Sequence, residues 1–376
     1  MDVGIPRETR AGEHRVALTP WGVKSLVQRG HRLWVETGAG ADAGYPDSDY
    51  QSAGATVAFS RIEPLTRGRM VAAVSAPDPR DYELLHPGQV VFAFWHLPAA
   101  RPEDLRALLA REVSAVGLEA IEDADGHAPV LTSMSELAGG LAVTVGAGLL
   151  LNALGGKGIL LGGATGVPPA HLVILGAGVA GRAAARTALG MGAQVTMLDA
   201  SLESLRHAAA EVGRGVTTML SSRPNVEKAL GFADLVLGAV AVHGRRAPVI
   251  VTRDMLRLMK PRSVVLDLSI DMGGCFETSR PTVLPKPIYE VDGILHFCVP
   301  NLPAAAARSS TLALTNAVLP YLLEVADHGL EGALQVHADL RRGVYLHKGR
   351  CARESLAAAF GLPRAPLPGE EGRGPS

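Results

Sequence analysis

Short apolar runs alternate with amphipathic stretches along most of the chain. The segments Val3–Ile5, Arg32–Val35, Met70–Val74, Val90–Phe94 and Val113–Leu118 have the length and apolar content of buried strands. A second series follows at Leu172–Leu175, Gln194–Leu198, Leu235–Ala239, Val264–Leu268 and Ile294–Val299. Between the runs lie helical patterns such as Pro20–Gln28, where Trp21, Val23, Leu26 and Val27 recur close to helical spacing. Strand–helix alternation implies parallel sheets covered by helices. Because the alternation appears twice, the pattern predicts an α/β protein with two doubly wound domains.

The boundary between the two series falls near Pro129. Leu137–Gly156 follows it as twenty residues without a charge, long enough to cross a bilayer. Six glycines, one asparagine and the lack of an aromatic belt point instead to a buried helix between domains. After Asn301 the chain reads as one long helix to about Leu330. A helix this apolar needs a sheet to cover, and the first domain is the natural partner. The expected organisation is therefore discontinuous, with residues 1–130 and 305–376 forming one domain and 131–304 inserted into it. The Pro- and Gly-rich tail from Pro363 is expected to be disordered.

Composition narrows the classes of function. At 47% apolar and 19% charged residues, the 376-residue chain can bury substantial cores. A net charge of -1 gives no electrostatic reason to expect nucleic acid or an anionic membrane as partner. Three cysteines (Cys275, Cys298, Cys351) without Cys-x-x-Cys spacing argue against a disulfide framework or a zinc site. Together with an N-terminus that lacks the apolar run of a signal peptide, they suggest a reducing, cytoplasmic setting.

The sharpest chemical signal is the strand Leu172–Leu175 running into Gly176-Ala177-Gly178-Val179-Ala180-Gly181, a helix, and a second strand ending at Asp199. The glycines permit a tight turn, close approach of the backbone to a pyrophosphate, and close helix–strand packing. The helix N-terminus adds its dipole to the phosphate site. Asp199 stands where a carboxylate would hold the ribose hydroxyls, and it would repel a 2′-phosphate, so NAD is expected rather than NADP. Hydride transfer needs a substrate anchor and a proton-transfer group. His96 follows an apolar strand, Asp271 follows the strand Val264–Leu268, and Arg15 follows the first strand. From position alone, His96 also fits a structural or exposed histidine, Asp271 a helix cap or turn, and Arg15 a solvated surface arginine.

Several longer segments add a resemblance. The opening VGIPRETRAGEHRVALTPWGVKSL, then FAFWHLPA, MSELAGGLA, GKGILLGGATGV, VVLDLSIDMGGCFETSRPT and CVPNLPAAAARSSTLALTNA, resemble the alanine dehydrogenase and transhydrogenase NAD-domain family. The similarity runs in order over nearly the whole chain and lies closest to bacterial L-alanine dehydrogenases. The resemblance implies two Rossmann-like domains with the NAD domain inserted, and a homo-oligomer, usually a hexamer. It also implies a small amino acid or 2-oxo acid as substrate, with no membrane partner. Under it, Arg15 binds the substrate carboxylate, His96 is the general acid–base, and Asp271 contacts the nicotinamide ribose and supports proton transfer. Ser135, Ser221, Val240, Ile270, Val299 and Leu302 match positions that line the NAD site.

One departure bears on the substrate. Where the family carries a substrate-contacting lysine, this chain has Ser75, within Ala73-Val74-Ser75-Ala76-Pro77. Leu118 and Gly140 also stand where relatives often have Tyr and Arg. Arg67 and Arg69 are near enough in sequence to be considered as replacements for the missing charge. The expectation is an NAD-dependent dehydrogenase of L-alanine or a related amino acid. The alternatives are another amino acid or imine, including one that brings its own cation, or a non-catalytic NAD-binding transhydrogenase-like subunit or sensor.

Overall fold

In the computed structural model, which describes residues 1–241 and 246–370, the apolar runs become the central strands of two sheets. The opening segment supplies β1 (Asp2–Ile5), β2 (Arg32–Glu36), β3 (Thr56–Ala58), β4 (Met70–Ser75), β5 (Val90–Phe94) and β6 (Ser114–Gly117). The middle supplies β7 (His171–Leu175), β8 (Gln194–Asp199), β9 (Val216–Leu220), β10 (Leu235–Gly238), β11 (Val264–Asp267), β12 (Ile288–Val291) and β13 (Ile294–Phe297). The closing segment adds β14 (Val344–His347) and β15 (Arg350–Cys351). The chain divides into two compact units, Met1–Met134 joined by Ala306–Ser376, and Ser135–Ala305.

Each unit is built on one sheet, and the two sheets share a topology. The first has the order β15-β14-β6-β5-β4-β1-β2-β3 and the second β12-β13-β11-β10-β7-β8-β9. In each, the first strand of the series lies in the middle and the chain winds outward in both directions with parallel pairing. The winding direction reverses between β1 and β4, and between β7 and β10. Ligands of doubly wound sheets gather beyond the carboxyl ends of the strands at such reversal points.

Five strands escaped the sequence pattern. β3, β9, β12 and β15 are sheet edges, and β14 lies next to one. An edge strand needs no continuous apolar run, because one side of it meets solvent. β9, with Thr217 and Thr218 exposed, illustrates this.

The helix Pro20–Gln28 starts where Thr19 accepts the N–H of Gly22 through its side chain and Pro20 needs no partner for an N–H. Trp21, counted on its apolar face, is in fact 46% exposed, while Gly22, Val23 and Leu26 are buried. A Cβ at Gly22 would come within 2.8 Å of Thr315 on the long helix Ala307–Val336. Thr311 and Thr315 of that helix accept the N–H groups of Val16 (3.2 Å) and Thr19 (2.9 Å), so the closing helix is bonded into the first unit. Gly329, at φ 71 and ψ 169, interrupts it.

The uncharged segment forms the helix Pro129–Leu149, long and apolar enough to cross a membrane by length and composition. Its Ala142, Val143 and Leu149 join the core beneath the second sheet. Its glycines serve close approach: a Cβ at Gly146 would lie 2.6 Å from Leu235, and one at Gly139 would lie 2.2 Å from the carbonyl of Ala180. The tail also departs from expectation. Arg364 donates to the carbonyl of Ala352 at 3.0 Å, Ala365 donates its N–H to the carbonyl of Cys351 at 2.7 Å, Arg341 donates to the carbonyl of Pro368 at 2.9 Å, and Leu367 is buried, so residues 363–370 are anchored to the first unit. The remaining residues, 371–376, lie outside the described part of the chain.

Candidate active site

In the second unit, the glycine-rich turn occupies the reversal point between β7 and β10. Gly176 has φ 107, and a Cβ there would lie 2.3 Å from the carbonyl of Ala239, which follows β10. A Cβ at Gly181 would lie 2.0 Å from the carbonyl of Gly176. Both glycines are therefore required by the protein itself. Gly178 is different: it caps the helix Val179–Gly190, is exposed, and a Cβ there would meet no protein atom within 4 Å. Open space before a helix N-terminus suits an anionic group, so the residues fit a dinucleotide pyrophosphate.

Asp199, at the end of β8, is drawn into the same turn. Its Oδ2 accepts the N–H of Ala177 at 2.8 Å and its Oδ1 that of Ser201 at 2.8 Å. Its backbone carbonyl accepts the N–H of Ser221 at 2.8 Å, which brings Ser221 to the same crevice. On the other side of the reversal point, Val240 donates its N–H to Ser269 Oγ at 2.9 Å. Asp267 is buried at the end of β11 and accepts from the N–H groups of Ser269 and Cys275, both 2.9 Å, and from Ser279 Oγ at 2.6 Å. That hub shapes the turn Leu268–Met272, which carries Asp271 exposed; Asp271 Oδ2 accepts the N–H of Asn301 at 3.3 Å. Ser135 is half-buried on the helix Pro129–Leu149. Ile270, Val299 and Leu302 are buried, and the last two belong to the core, so their side chains offer almost no surface to a ligand. Burial raises the thiol pKa of Cys275, Cys298 and Cys351, which argues against a thiolate nucleophile.

In the first unit, the reversal point between β1 and β4 holds Glu8, which sequence reasoning passed over. Its Oε1 accepts the N–H of Val74 at 2.7 Å and its Oε2 that of Ser75 at 3.1 Å. Burial, reinforced by nearby Glu13, pushes its pKa up to about 7. Glu8 and Ser75 line a cavity of about 320 Å³ walled by Pro77, Tyr82, Trp95 and Leu97, among others.

His96 follows β5 with φ 48 and ψ 36, a left-handed conformation rare outside glycine. Glu119, just after β6, holds that bend: it accepts the N–H of His96 at 2.7 Å and that of Trp95 at 3.2 Å. The His96 side chain is 62% exposed, with Nδ1 3.9 Å from Glu119. The signal for Glu8 and Glu119 was available, since each is an acidic residue just beyond a strand's carboxyl end.

Arg15 is neither a solvated surface group nor an open clamp. It is 4% exposed, and Glu13 takes its Nε at 2.7 Å and its NH2 at 2.6 Å. A carboxylate ligand that approached through this edge would have to displace Glu13. Its guanidinium carbon lies 5.9 Å from the centre of the Phe94 ring, and NH1 lies 3.3 Å from Met134 Sδ.

The two arginines considered as substitutes for the missing lysine do not reach Ser75. Arg69 precedes the amino end of β4, whereas Ser75 ends it, and Arg67 stacks on Trp34 at 4.4 Å. Leu118 is buried, and a Cβ at Gly140 would make an ordinary 3.4 Å contact with Thr187.

Two doubly wound units, one carrying a glycine turn closed by an acidic strand end, define a dinucleotide-binding oxidoreductase. The chain belongs to the alanine dehydrogenase/PNT family: the N-terminal domain model matches residues 4–138 and the C-terminal domain model residues 142–354. It is 43% identical to the alanine dehydrogenase of Mycobacterium tuberculosis over 363 residues, covering 96% of this chain and 98% of that one. It is 40% identical to the alanine dehydrogenase of Bacillus subtilis over 367 residues, covering 97% and 96%. Among solved structures, an L-alanine dehydrogenase superposes with a TM-score of 0.92 at 40% identity, covering 96% of this chain and 99% of that one. A transhydrogenase from Sinorhizobium meliloti gives 0.80 at 27% identity, covering 94% and 100%.

Proposed function

We propose that this protein is an NAD-dependent amino-acid dehydrogenase that converts L-alanine, or a closely related amino acid, reversibly to the 2-oxo acid. The balance is amino acid, NAD⁺ and water to 2-oxo acid, ammonium, NADH and a proton. The observation that carries this reading is likeness to alanine dehydrogenases over 96% of the chain at 43% identity, against 27% for the transhydrogenase. That difference favours an enzyme with its own substrate over a transhydrogenase-like subunit or a sensor.

NAD, when bound, supplies the acceptor for the hydride that leaves the substrate Cα. Gly176, Gly178, Gly181 and the N-terminus of the helix Val179–Gly190 would hold its pyrophosphate. Asp199 would face the adenosine ribose while closing the turn. In the first unit, Arg15 holds the substrate carboxylate, with Glu13 fixing its orientation. His96 takes and returns protons as water adds to the imine and ammonia leaves, a role an imidazole can fill as both donor and acceptor. Its exposed ring and its backbone, braced by Glu119, support that role. Asp271 assists beside the nicotinamide ribose. Ser135, Ser221, Val240 and Ile270 complete the cofactor's surroundings; Val299 and Leu302 would contribute through their backbone and by packing. The protein works as a homo-oligomer, a hexamer by the family resemblance, in the cytoplasm.

The test follows NADH oxidation with ammonium and a panel of 2-oxo acids that includes pyruvate. Turnover is expected. Silence across the panel with NADH still bound would overturn the enzymatic reading in favour of a sensor.

A further inference from the structure

The cavity beside Ser75 has an electrostatic imbalance. It lies at the reversal point of the first sheet, where doubly wound folds collect ligands. The Glu8 carboxylate is tied there to neutral backbone donors, and among the described residues no cation forms an ion pair with it. Two cationic side chains border the cavity, Arg10 and Arg61. Arg61 is committed to Asp81 at 2.7 Å and Glu36 at 3.6 Å, and Arg10 is exposed to solvent. The other charged groups on the wall are acidic: Asp78 is paired with Arg80, and Asp104 with Arg101. The cavity adjoins the bend that carries His96, since Trp95 and Leu97 both line it.

We propose that this cavity is a side-chain subsite for a protonated nitrogen, so that the enzyme prefers amino acids with a terminal ammonium to neutral amino acids of the same shape. The inference rests on the dehydrogenase reading above and names a substrate class for it. A carboxylate removed from bulk water without a countercharge takes up either a proton or a cation, and its raised pKa reflects that demand. An ammonium at the end of a short alkyl chain answers it with a charge-assisted hydrogen bond to Glu8, and the aromatic and aliphatic wall of Tyr82, Trp95 and Leu97 covers the methylenes. A neutral isostere would leave Glu8 uncompensated. The side-chain nitrogen takes no part in the reaction, whose atom and charge balance is unchanged.

The test compares L-ornithine with L-norleucine, and L-lysine with L-2-aminoheptanoic acid, each pair matched in side-chain length, in NAD reduction by the full-length enzyme. The same ligands are titrated calorimetrically into the NADH-loaded protein. At least one basic member should exceed its neutral partner in kcat/KM and in affinity by about tenfold or more. Glu8→Gln should bring the ratio to about one. Ser75→Lys places an internal ammonium beside Glu8 and should reverse the ratio; it remains informative where Glu8→Gln does not fold. Equal or poorer binding of both basic ligands in the wild type, or a ratio that survives Glu8→Gln, overturns the subsite. If no amino acid turns over yet a basic ligand binds tighter through Glu8, the subsite stands and the dehydrogenase reading falls. If alanine turns over without any basic preference, the subsite alone falls.

Discussion

Asp199 accepts the backbone N–H of Ala177 at 2.8 Å, so the carboxylate at the end of β8 closes the glycine turn at the end of β7. One side chain thus shapes the glycine turn and, in the proposed role, would stand against a 2′-phosphate. Asp199→Ala removes both effects. Hydrogen bonds to charged groups contribute about 1.5–3 kcal/mol. NADH should therefore bind about tenfold or more weakly in a fluorescence titration, with narrowed discrimination against NADPH. Unchanged affinity and selectivity would remove Asp199 from cofactor binding.

Gly178 and Gly181 should separate binding from folding. A Cβ at Gly178 meets no protein atom within 4 Å, whereas one at Gly181 meets the Gly176 carbonyl at 2.0 Å. Gly178→Ala should keep the wild-type melting temperature and lose NADH affinity, because the methyl occupies the space a pyrophosphate needs. Gly181→Ala should lower the melting temperature even without ligand. Equal affinity for NADH in Gly178→Ala and wild type would contradict this assignment of the phosphate site.

Glu13 and Arg15 form a pair in which both side chains are nearly inaccessible. Removing one partner of a buried ion pair typically costs about 3–5 kcal/mol, because the other charge is left in a low-dielectric site. Glu13→Ala should lower Tm strongly. Replacing both residues together, Glu13→Leu with Arg15→Met, should recover much of the loss and still abolish turnover. A thermal melt of the two variants against the wild type distinguishes this from independent surface effects.

Glu8 should make stability depend on pH. Its pKa is raised from 4.5 to about 7, so the folded protein keeps a proton over a range where the unfolded chain has released it. The stabilisation is complete below about 4.5, falls as pH rises to about 7, and is level above that. Glu8→Gln does not titrate. From about pH 4.5 to about pH 8, the stability difference should therefore move in the variant's favour by about 1–3 kcal/mol in urea unfolding. No movement, or movement the other way, would show that Glu8 titrates normally.

His96→Ala should lower turnover by roughly 10² to 10⁴, the range usual for losing a general acid–base. NADH binding should persist. Glu119→Gln keeps one acceptor oxygen but sets its NH2 against the second backbone N–H, since His96 and Trp95 use different carboxylate oxygens, so it should loosen the bend and lower the melting temperature. Full activity in His96→Ala would pass the proton-transfer role to another group.

The sequence by itself determined the two series of central strands, because a strand flanked on both sides and covered on both faces must be apolar throughout. It also determined the glycine turn, since Gly176 and Gly181 stand where no side chain fits and the residue types announce it. Val299 and Leu302 show the limit of matching by position: both are core side chains, although the match made them site residues. Edge strands such as β9 carried no signal, because solvent on one side relaxes the demand for apolar residues. Only the tertiary structure decided the charges. Glu13 lies two residues from Arg15 but takes its guanidinium because both are buried together. Arg67 and Arg69, close to Ser75 along the chain, sit away from the carboxyl end of β4, where Ser75 and Glu8 meet. Whether a carboxylate is compensated depends on which groups surround it in three dimensions and on how little water remains, and chain separation encodes neither.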